Sequence, residues 1–243
     1  MTYTWNWGIF WELSPEGNGT YFYTLLIGLR WTLMTALLAW IIALVFGSVA
    51  GVLRTMPGRW VARFGNAYVE FFRNIPLLVQ LFLWYFVLPE LLPNAAGKWL
   101  KTLPNAAFWT AAVGIGLFMS ARIAEQVRAG IRSLPAGQMM AGKALGLTPA
   151  QTYRYVLLPM AFRIILPPLT SEMLNTVKNT SVAFIIGLME LTARTRAMQE
   201  FSFQVFEAFT AATIIYLLVN AVIVLTMRRL ERAVAVPGYI GGR

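Results

Sequence analysis

A chain of 243 residues that is 58% hydrophobic and only 12% charged, with a mean hydropathy of +0.62, carries more apolar surface than a single water-soluble globule can hide. The net charge of +10 does not point to nucleic acid, because Lys and Arg lie mainly between the apolar runs and form no single basic face. Cys and His are both absent, which excludes disulfides, thiolate metal sites and cysteine nucleophiles and removes the commonest general base.

The first segment, residues 1–21, has no Lys or Arg before Tyr21, carries Glu12 and Glu16, and holds Trp5, Trp7 and Trp11. It lacks the basic start of a signal peptide, and its aromatic residues suit an external membrane interface. Five stretches then reach the length needed to cross a bilayer, roughly 20 residues at about 1.5 Å rise each. They cover residues 31–53 (starting as early as Phe22), 75–92, 106–129, 164–187 and 209–227. Gly47 and Gly51 in the first form a Gly-x-x-x-Gly pair, suited either to internal packing or to an oligomer contact. Pro76 and Pro89 mark the ends of the second.

Basic residues set the orientation. Arg54, Arg59, Arg63 and Arg73 follow the first span; Arg132, Lys143, Arg154 and Arg163 follow the third; Arg228, Arg229, Arg232 and Arg243 follow the fifth. The opposite connections mix Glu90, Lys98, Lys101, Glu190, Arg194, Arg196, Glu200 and Glu207. The N-terminus is therefore expected outside and the C-terminus inside. That organisation divides into an external segment (1–21), a transmembrane domain (22–230) and a cytoplasmic tail (231–243).

The connection from Pro135 to Pro159 reads as a helical elbow. A short helix over about 137–145 is stopped by Gly146, and a second opens at Thr148 with Pro149 in its first position. Ala141, Gly142 and Ala144, with apolar Leu145, form a surface another protein can approach closely, although an ordinary folded loop has the same local pattern.

This elbow resembles the EAA loop of ABC importer permeases. Ala141, Gly146 and the run Val156-Leu157-Leu158-Pro159 fit, whereas Met140 stands where the family has Glu and Gly142 replaces the second Ala. The run from Glu70 through Arg73, Asn74 and Pro76 to Gln80 is similar to the histidine/glutamine/arginine branch of these permeases. The stretch from Tyr153 to Pro159, then Pro167 to Glu172, Val177 to Ser181, and the tail through Glu231, Val236, Pro237 and Gly238 look closest to glutamate/aspartate import permeases. The resemblance implies an all-α integral membrane protein of the type I importer fold with five transmembrane helices and a cytoplasmic coupling helix, in a bacterial inner membrane. In that role Gln138, Met140, Ala141, Gly142, Ala144, Leu145 and Gly146 would couple to the ATPase. It also implies a dimer of ATP-binding subunits, a second permease subunit, similar or identical, and a periplasmic or extracellular substrate-binding protein. The chain has no Gly-x-x-x-x-Gly-Lys-Ser/Thr phosphate loop, so ATP and Mg would reside on the partner ATPase and this chain would hold no cofactor. Membrane lipid, an amino acid substrate and no nucleic acid complete the expected partners.

Ionisable residues at membrane depth are functional candidates by default. Arg122, Glu172 and Lys178 qualify, and Ser171, Asn175 and Asn179 add a polar stripe to the helix carrying the last two. Counting about 1.5 Å per residue places Arg122 and Lys178 at similar depths. Other branches of the family tend to carry an aromatic or hydroxyl residue where Arg122 stands, and a guanidinium fork matches a carboxylate. Arg122 is thus expected either to bind an acidic substrate or to pair with Glu172 or Glu125 and lock helices together. Lys178 is expected in a gate or an interhelical contact, Glu125 in a pair with Arg128, and Gln80 in a hydrogen bond across helices. The cargo is expected to be glutamate and aspartate, with glutamine or a broad set of polar amino acids as the alternative. A membrane-embedded enzyme would need Glu172 and Lys178 as catalysts in a chain without His, Cys or Asp.

Overall fold

A computed structural model describes residues 3–17 and 19–234. The tail motif at Val236, Pro237 and Gly238 lies outside the described residues. Regular structure among the described residues is helical, apart from one isolated antiparallel bridge between Leu13 and Thr20.

Helix α1 spans Tyr21–Leu53 and α2 spans Arg59–Asn74. A composite helix follows: α3 (Leu77–Phe82), a π-helical turn (Leu83–Val87) and α4 (Leu88–Leu91). Then come α5 (Asn94–Thr102), α6 (Ala106–Arg132) and the two helices of the elbow, α7 (Ala136–Ala144) and α8 (Pro149–Thr152). A second π-helical turn (Tyr153–Leu157) leads into α9 (Leu158–Asn179) and a 3-10 segment (Thr180–Ile186), and α10 (Leu191–Ser202) and α11 (Val205–Val234) close the chain.

Four continuous helical runs are long and apolar enough to cross a membrane: Tyr21–Leu53, Ala106–Arg132, Pro149–Ile186 and Val205–Val234. The fifth crossing exists only as a broken pair, Arg59–Asn74 with Leu77–Leu91. The single span expected over 75–92 is therefore corrected to a bent composite, and the basic connection before it contains a helix. Helix α2 escapes a hydropathy reading because it has three faces. Gly65, Val69 and Phe72 are buried; Trp60, Phe64 and Phe71 form an exposed apolar face; Arg59, Arg63, Asn66, Glu70 and Arg73 form a polar one. Polar and apolar positions average out along such a chain while each keeps a helical repeat.

Prolines account for the irregular points. Ile75, held extended (φ −100°, ψ 127°) by the ring of Pro76, ends α2, and Pro76 caps α3. Pro89 and Pro159 each follow a π-helical turn by two residues. A proline in a helix lacks an N–H and crowds the carbonyl four residues back, and a widened turn relieves that crowding without ending the helix. Pro89 thus sits in the last turn of its helix, whereas Pro159 is passed through by one.

The helices form two compact units. The first gathers the chain through Ala39 with Pro76–Ile115 and Asn175–Val222; the second gathers Trp40–Ile75, Gly116–Leu174 and the chain from Ile223 onward. In the first, Ile9, Tyr21, Leu25, Leu191, Met198 and Ala208 make a buried core that ties the N-terminal segment to α1, α10 and α11. Tyr3 donates its hydroxyl to Glu207, which also accepts from the backbone N–H of Asn6 at 2.6 Å. That bond pushes the Tyr3 phenol up to about 12. Arg194 pairs with Glu16 behind Gly28.

The buried centre of this unit is Glu190. Its carboxylate caps α10 by accepting from the N–H groups of Thr192 (2.9 Å) and Ala193 (2.8 Å), and it takes hydroxyl bonds from Tyr216 (3.1 Å) and Thr32 (3.3 Å). Burial pushes the carboxyl above the ordinary carboxylate range, and the hydrogen bonds to Thr192, Ala193, Tyr216 and Thr32 offset only part of that.

In the second unit Gly47 and Gly51 let α1 meet α6. A Cβ at Gly47 would come within 2.7 Å of Ile123 and the Ser120 carbonyl, and one at Gly51 within 2.6 Å of Val127. The pair is an internal contact. Glu125 on α6 collects Arg128 (2.8 Å), Arg54 (3.0 Å) and Arg73 (3.5 Å), so the expected Glu125–Arg128 pair is one part of a larger cluster. Arg54, read from sequence as a topology signal, is nearly buried.

Two outcomes follow for stability in detergent. Gly51→Leu forces a side chain into the α1–α6 contact and is expected to cost about 1–3 kcal/mol or more, lowering the unfolding temperature, whereas Leu at the exposed position Ala67 should not. Glu190→Ala removes a cap and strands buried donors, a loss of about 2–3 kcal/mol. Because the folded value of Glu190 lies above its unfolded one, its contribution is full at pH below the ordinary carboxylate range and is lost as pH rises through the raised value. Glu190→Gln should flatten that fall when unfolding temperature is measured against pH.

Candidate functional site

Arg122 and Glu172, fifty residues apart in sequence, are brought together by α6 and α9 within the second unit. Arg122 Nε donates to Glu172 Oε2 at 2.6 Å and Nη2 donates to Oε1 at 3.2 Å, a bidentate pair. The two partners differ in environment: the Glu172 side chain is 6% exposed and that of Arg122 is 48% exposed. Glu172 is thus the anchored member, fixed inside the fold, and the guanidinium extends from it to the surface of this chain. Using the Nε/Nη2 edge for Glu172 leaves the Nη1/Nη2 edge for a second acceptor. Glu125, the other carboxylate expected for Arg122, belongs instead to the cluster with Arg54 and Arg128.

The polar residues predicted around this pair share α9. Ser171 and Lys178 are exposed, and Asn175 between them is half-buried. Their spacing of four and three residues places all three on one helical face. Asn179, the last residue of α9, is also half-buried, and Glu172 lies on the flank turned inward. Pro167 and Pro168 sit inside α9, where the missing N–H groups free carbonyls one turn earlier. Next to Ser171 in sequence, the Thr170 hydroxyl donates to Glu231 at 3.0 Å. Glu231, assigned from sequence to the tail, is still helical because α11 continues to Val234. Gln80 is buried.

The elbow is built by its caps. Gly146 adopts a left-handed backbone (φ 76°) that a side chain would strain, and Leu147 N–H closes onto the Gly142 carbonyl at 3.0 Å. Thr148 and Gln151 form a reciprocal capping box: the Gln151 N–H reaches Thr148 Oγ1 at 3.3 Å and the Thr148 N–H reaches Gln151 Oε1 at 2.8 Å. Tyr153 then donates its hydroxyl to the Thr55 carbonyl at 2.7 Å, fastening the elbow to the end of α1.

The seven residues assigned to coupling do not share one environment. Met140 (67%) and Leu145 (79%) are strongly exposed apolar side chains, and Ala141, Ala144 and Gly146 are exposed beside them. Gln138 is half-buried. Gly142 points the other way, into the elbow, where a Cβ would lie 2.8 Å from Thr152. Its smallness serves the fold of the elbow, and the outward surface is the one carrying Met140 and Leu145. A cavity of about 520 Å³ lies behind α7, lined in part by Arg54, Arg132, Lys143 and Tyr153.

Sequence reading did not find the partners of Glu125 just after α1 and on α2, nor the contact of the Tyr68 hydroxyl with Ser120 at 2.7 Å. Arg54, Tyr68 and Arg73 carry no local signal for these contacts, since their partners are set by how α1, α2 and α6 pack.

Known proteins agree with this architecture. Residues 43–236 match the family described as "binding-protein-dependent transport system inner membrane component". The chain is similar to the glutamate/aspartate import permease protein GltJ of Escherichia coli (strain K12), 49% identical with all of both chains covered. It is also similar to the glutamine transport system permease protein GlnP of Escherichia coli (strain K12), 34% identical over 93% of this chain and 96% of that one. Among solved structures, a chain of an amino acid ABC transporter crystallised with histidines superposes with a TM-score of 0.73 at 29% identity, covering 88% of this chain and 95% of that one. An inward-facing MetNI methionine ABC transporter shares the fold, with a TM-score of 0.73 at 22% identity over 88% and 97% of the two chains. With that profile covering most of its length and a full-length relative at this identity, the chain belongs to the binding-protein-dependent transport system inner membrane components, the multi-pass permeases of ABC amino acid importers.

Proposed function

We propose that this permease carries acidic amino acids, glutamate and aspartate, into the cell, and that Arg122 receives a substrate carboxylate on the guanidinium edge that Glu172 leaves open. The observation that carries this reading is the asymmetry of the pair: an inward-held Glu172 fixes the orientation of a half-exposed Arg122. The full-length similarity to a glutamate/aspartate permease supports the same cargo. Ser171, Asn175, Lys178 and Asn179 contribute polar groups along α9, and Glu172 acts as the positioning residue. A pre-oriented fork needs less ordering on binding than a free side chain, which favours capture at membrane depth.

The remaining assembly follows the family role. The N-terminus lies outside and the elbow inside, as the distribution of Arg and Lys argues. Two ATP-binding subunits hold ATP and Mg, a second permease subunit completes the pathway, and an external binding protein delivers the amino acid. Met140 and Leu145 present the apolar contact to the ATPase, with Gln138, Ala141, Ala144 and Gly146 around them and Gly142 holding the elbow's shape. ATP binding closes the ATPases, the elbow moves with them, and the substrate pathway opens alternately to each side. The permease makes and breaks no covalent bond.

Uptake in reconstituted vesicles tests the substrate role. Arg122→Ala should lower glutamate and aspartate transport by about tenfold or more, the scale of one charge-assisted bidentate contact, and Arg122→Lys should restore only part of it. Glu172→Gln should raise KM more than it lowers kcat. Normal acidic uptake in both Arg122 variants would reject the substrate role of Arg122, and competition by glutamine and not by glutamate or aspartate would reject the acidic cargo. For coupling, Leu145→Asp should leave the permease in the membrane while abolishing co-purification with the ATPase and transport; retained co-purification would place the docking surface elsewhere.

A further inference from the structure

Between α4, α5 and the start of α6, all within the first unit, the chain folds around a recess that the transport role does not use. Its larger part, about 440 Å³, is walled by Trp84, Leu88, Trp99, Leu103, Trp109 and Val113. A second hollow of about 290 Å³ shares Trp84, Leu100, Ala106 and Thr110 with it and carries Glu90 and Lys101. The two form one amphiphilic recess, apolar along its larger part, with Glu90 and Lys101 forming a charged mouth on the other.

The mouth is a solvent-accessible ion pair. Lys101 Nζ donates to Glu90 Oε1 at 2.6 Å, with both side chains at least half exposed. The roof is closely packed, since α5 rests on α4 so tightly that a Cβ at Gly97 would clash with the Pro89 carbonyl. Trp99 and Trp109 are partly exposed at the rim, at the junction between a membrane-crossing helix and the connection to it. Indole rings favour that boundary, where one end meets hydrocarbon and the N–H meets polar groups.

We propose that this recess binds a zwitterionic phospholipid of the phosphatidylethanolamine class. An acyl chain fits the Trp- and Leu-lined interior. At the mouth, the phosphate meets Lys101 and the primary ammonium meets Glu90, each replacing one half of the internal ion pair. Charge complementarity selects this headgroup. A lipid with only an anionic phosphate would place its charge against Glu90, and a quaternary ammonium has no N–H to donate to that carboxylate. A preformed apolar recess with a few convergent polar groups is the usual form of a small-ligand site.

The test uses the assembled importer purified in detergent. Native mass spectrometry should show dioleoylphosphatidylethanolamine retained at least about fivefold better than dioleoylphosphatidylglycerol, the scale of one charge-assisted contact at a partly exposed site. Lys101→Ala should remove that preference, Glu90→Gln should shift it toward phosphatidylglycerol, and Val113→Trp, which fills the recess, should reduce retention of both lipids. The chain has no Cys, so Trp99→Cys places a single thiol of this subunit at the rim. Its cross-linking to a thiol-reactive phosphatidylethanolamine supports the site. Equal retention of the two lipids by the unaltered protein would overturn the proposal, as would cross-linking of that thiol to another protein subunit in place of lipid.

Discussion

Water is missing from the hydrocarbon core of a bilayer, and every polar group placed there must find its partner inside the protein. That constraint accounts for two charge clusters in the second unit. Arg122 sits on Glu172 in bidentate geometry, and Glu125 gathers Arg128 from its own helix, Arg73 from α2 and Arg54 from the turn after α1. An unpaired charge at these positions would cost several kcal/mol, so each cluster also dictates which helices stand together.

The same constraint shapes the backbone. A helix can cross a membrane because its own turns satisfy its N–H and carbonyl groups, and a proline withdraws one donor from that arrangement. The chain accommodates Pro89 and Pro159 with π-helical turns and meets Pro76 with a full break. Close helix contact is obtained in its cheapest form, by glycine: Gly47 and Gly51 bring α1 against α6, and Gly130 brings α6 against Ala161 and Ile165 on α9. These contacts hold the two helices that carry Arg122 and Glu172 in register, so packing chemistry far from the pair is what positions it.

Polar and apolar surfaces are separated by task in the elbow. Its caps, Gly146 and the Thr148–Gln151 box, spend their hydrogen bonds on local structure, and Gly142 faces inward on Thr152. Met140 on α7 and Leu145 at its end are left outward as apolar groups. Met140, where the EAA-loop pattern has Glu, leaves that surface less charged.

Sequence alone pointed to the membrane as solvent, to most of the crossing helices, to the elbow with its turn and caps, and to a short set of ionisable residues at membrane depth. Those features are written in local composition and spacing: apolar run length, glycine and proline positions, and a threonine three residues before a glutamine. Helix α2 was hidden because its three faces cancel in any average along the chain. Partner choice was decided only by the tertiary structure. Arg122 could have met Glu125 or Glu172, the Gly47–Gly51 pair could have served an oligomer, and Arg54 could have been a plain surface charge. The rotation and register of α1, α2, α6 and α9 settle all three, because a side chain reaches only a few ångströms and its partner lies fifty or more residues away.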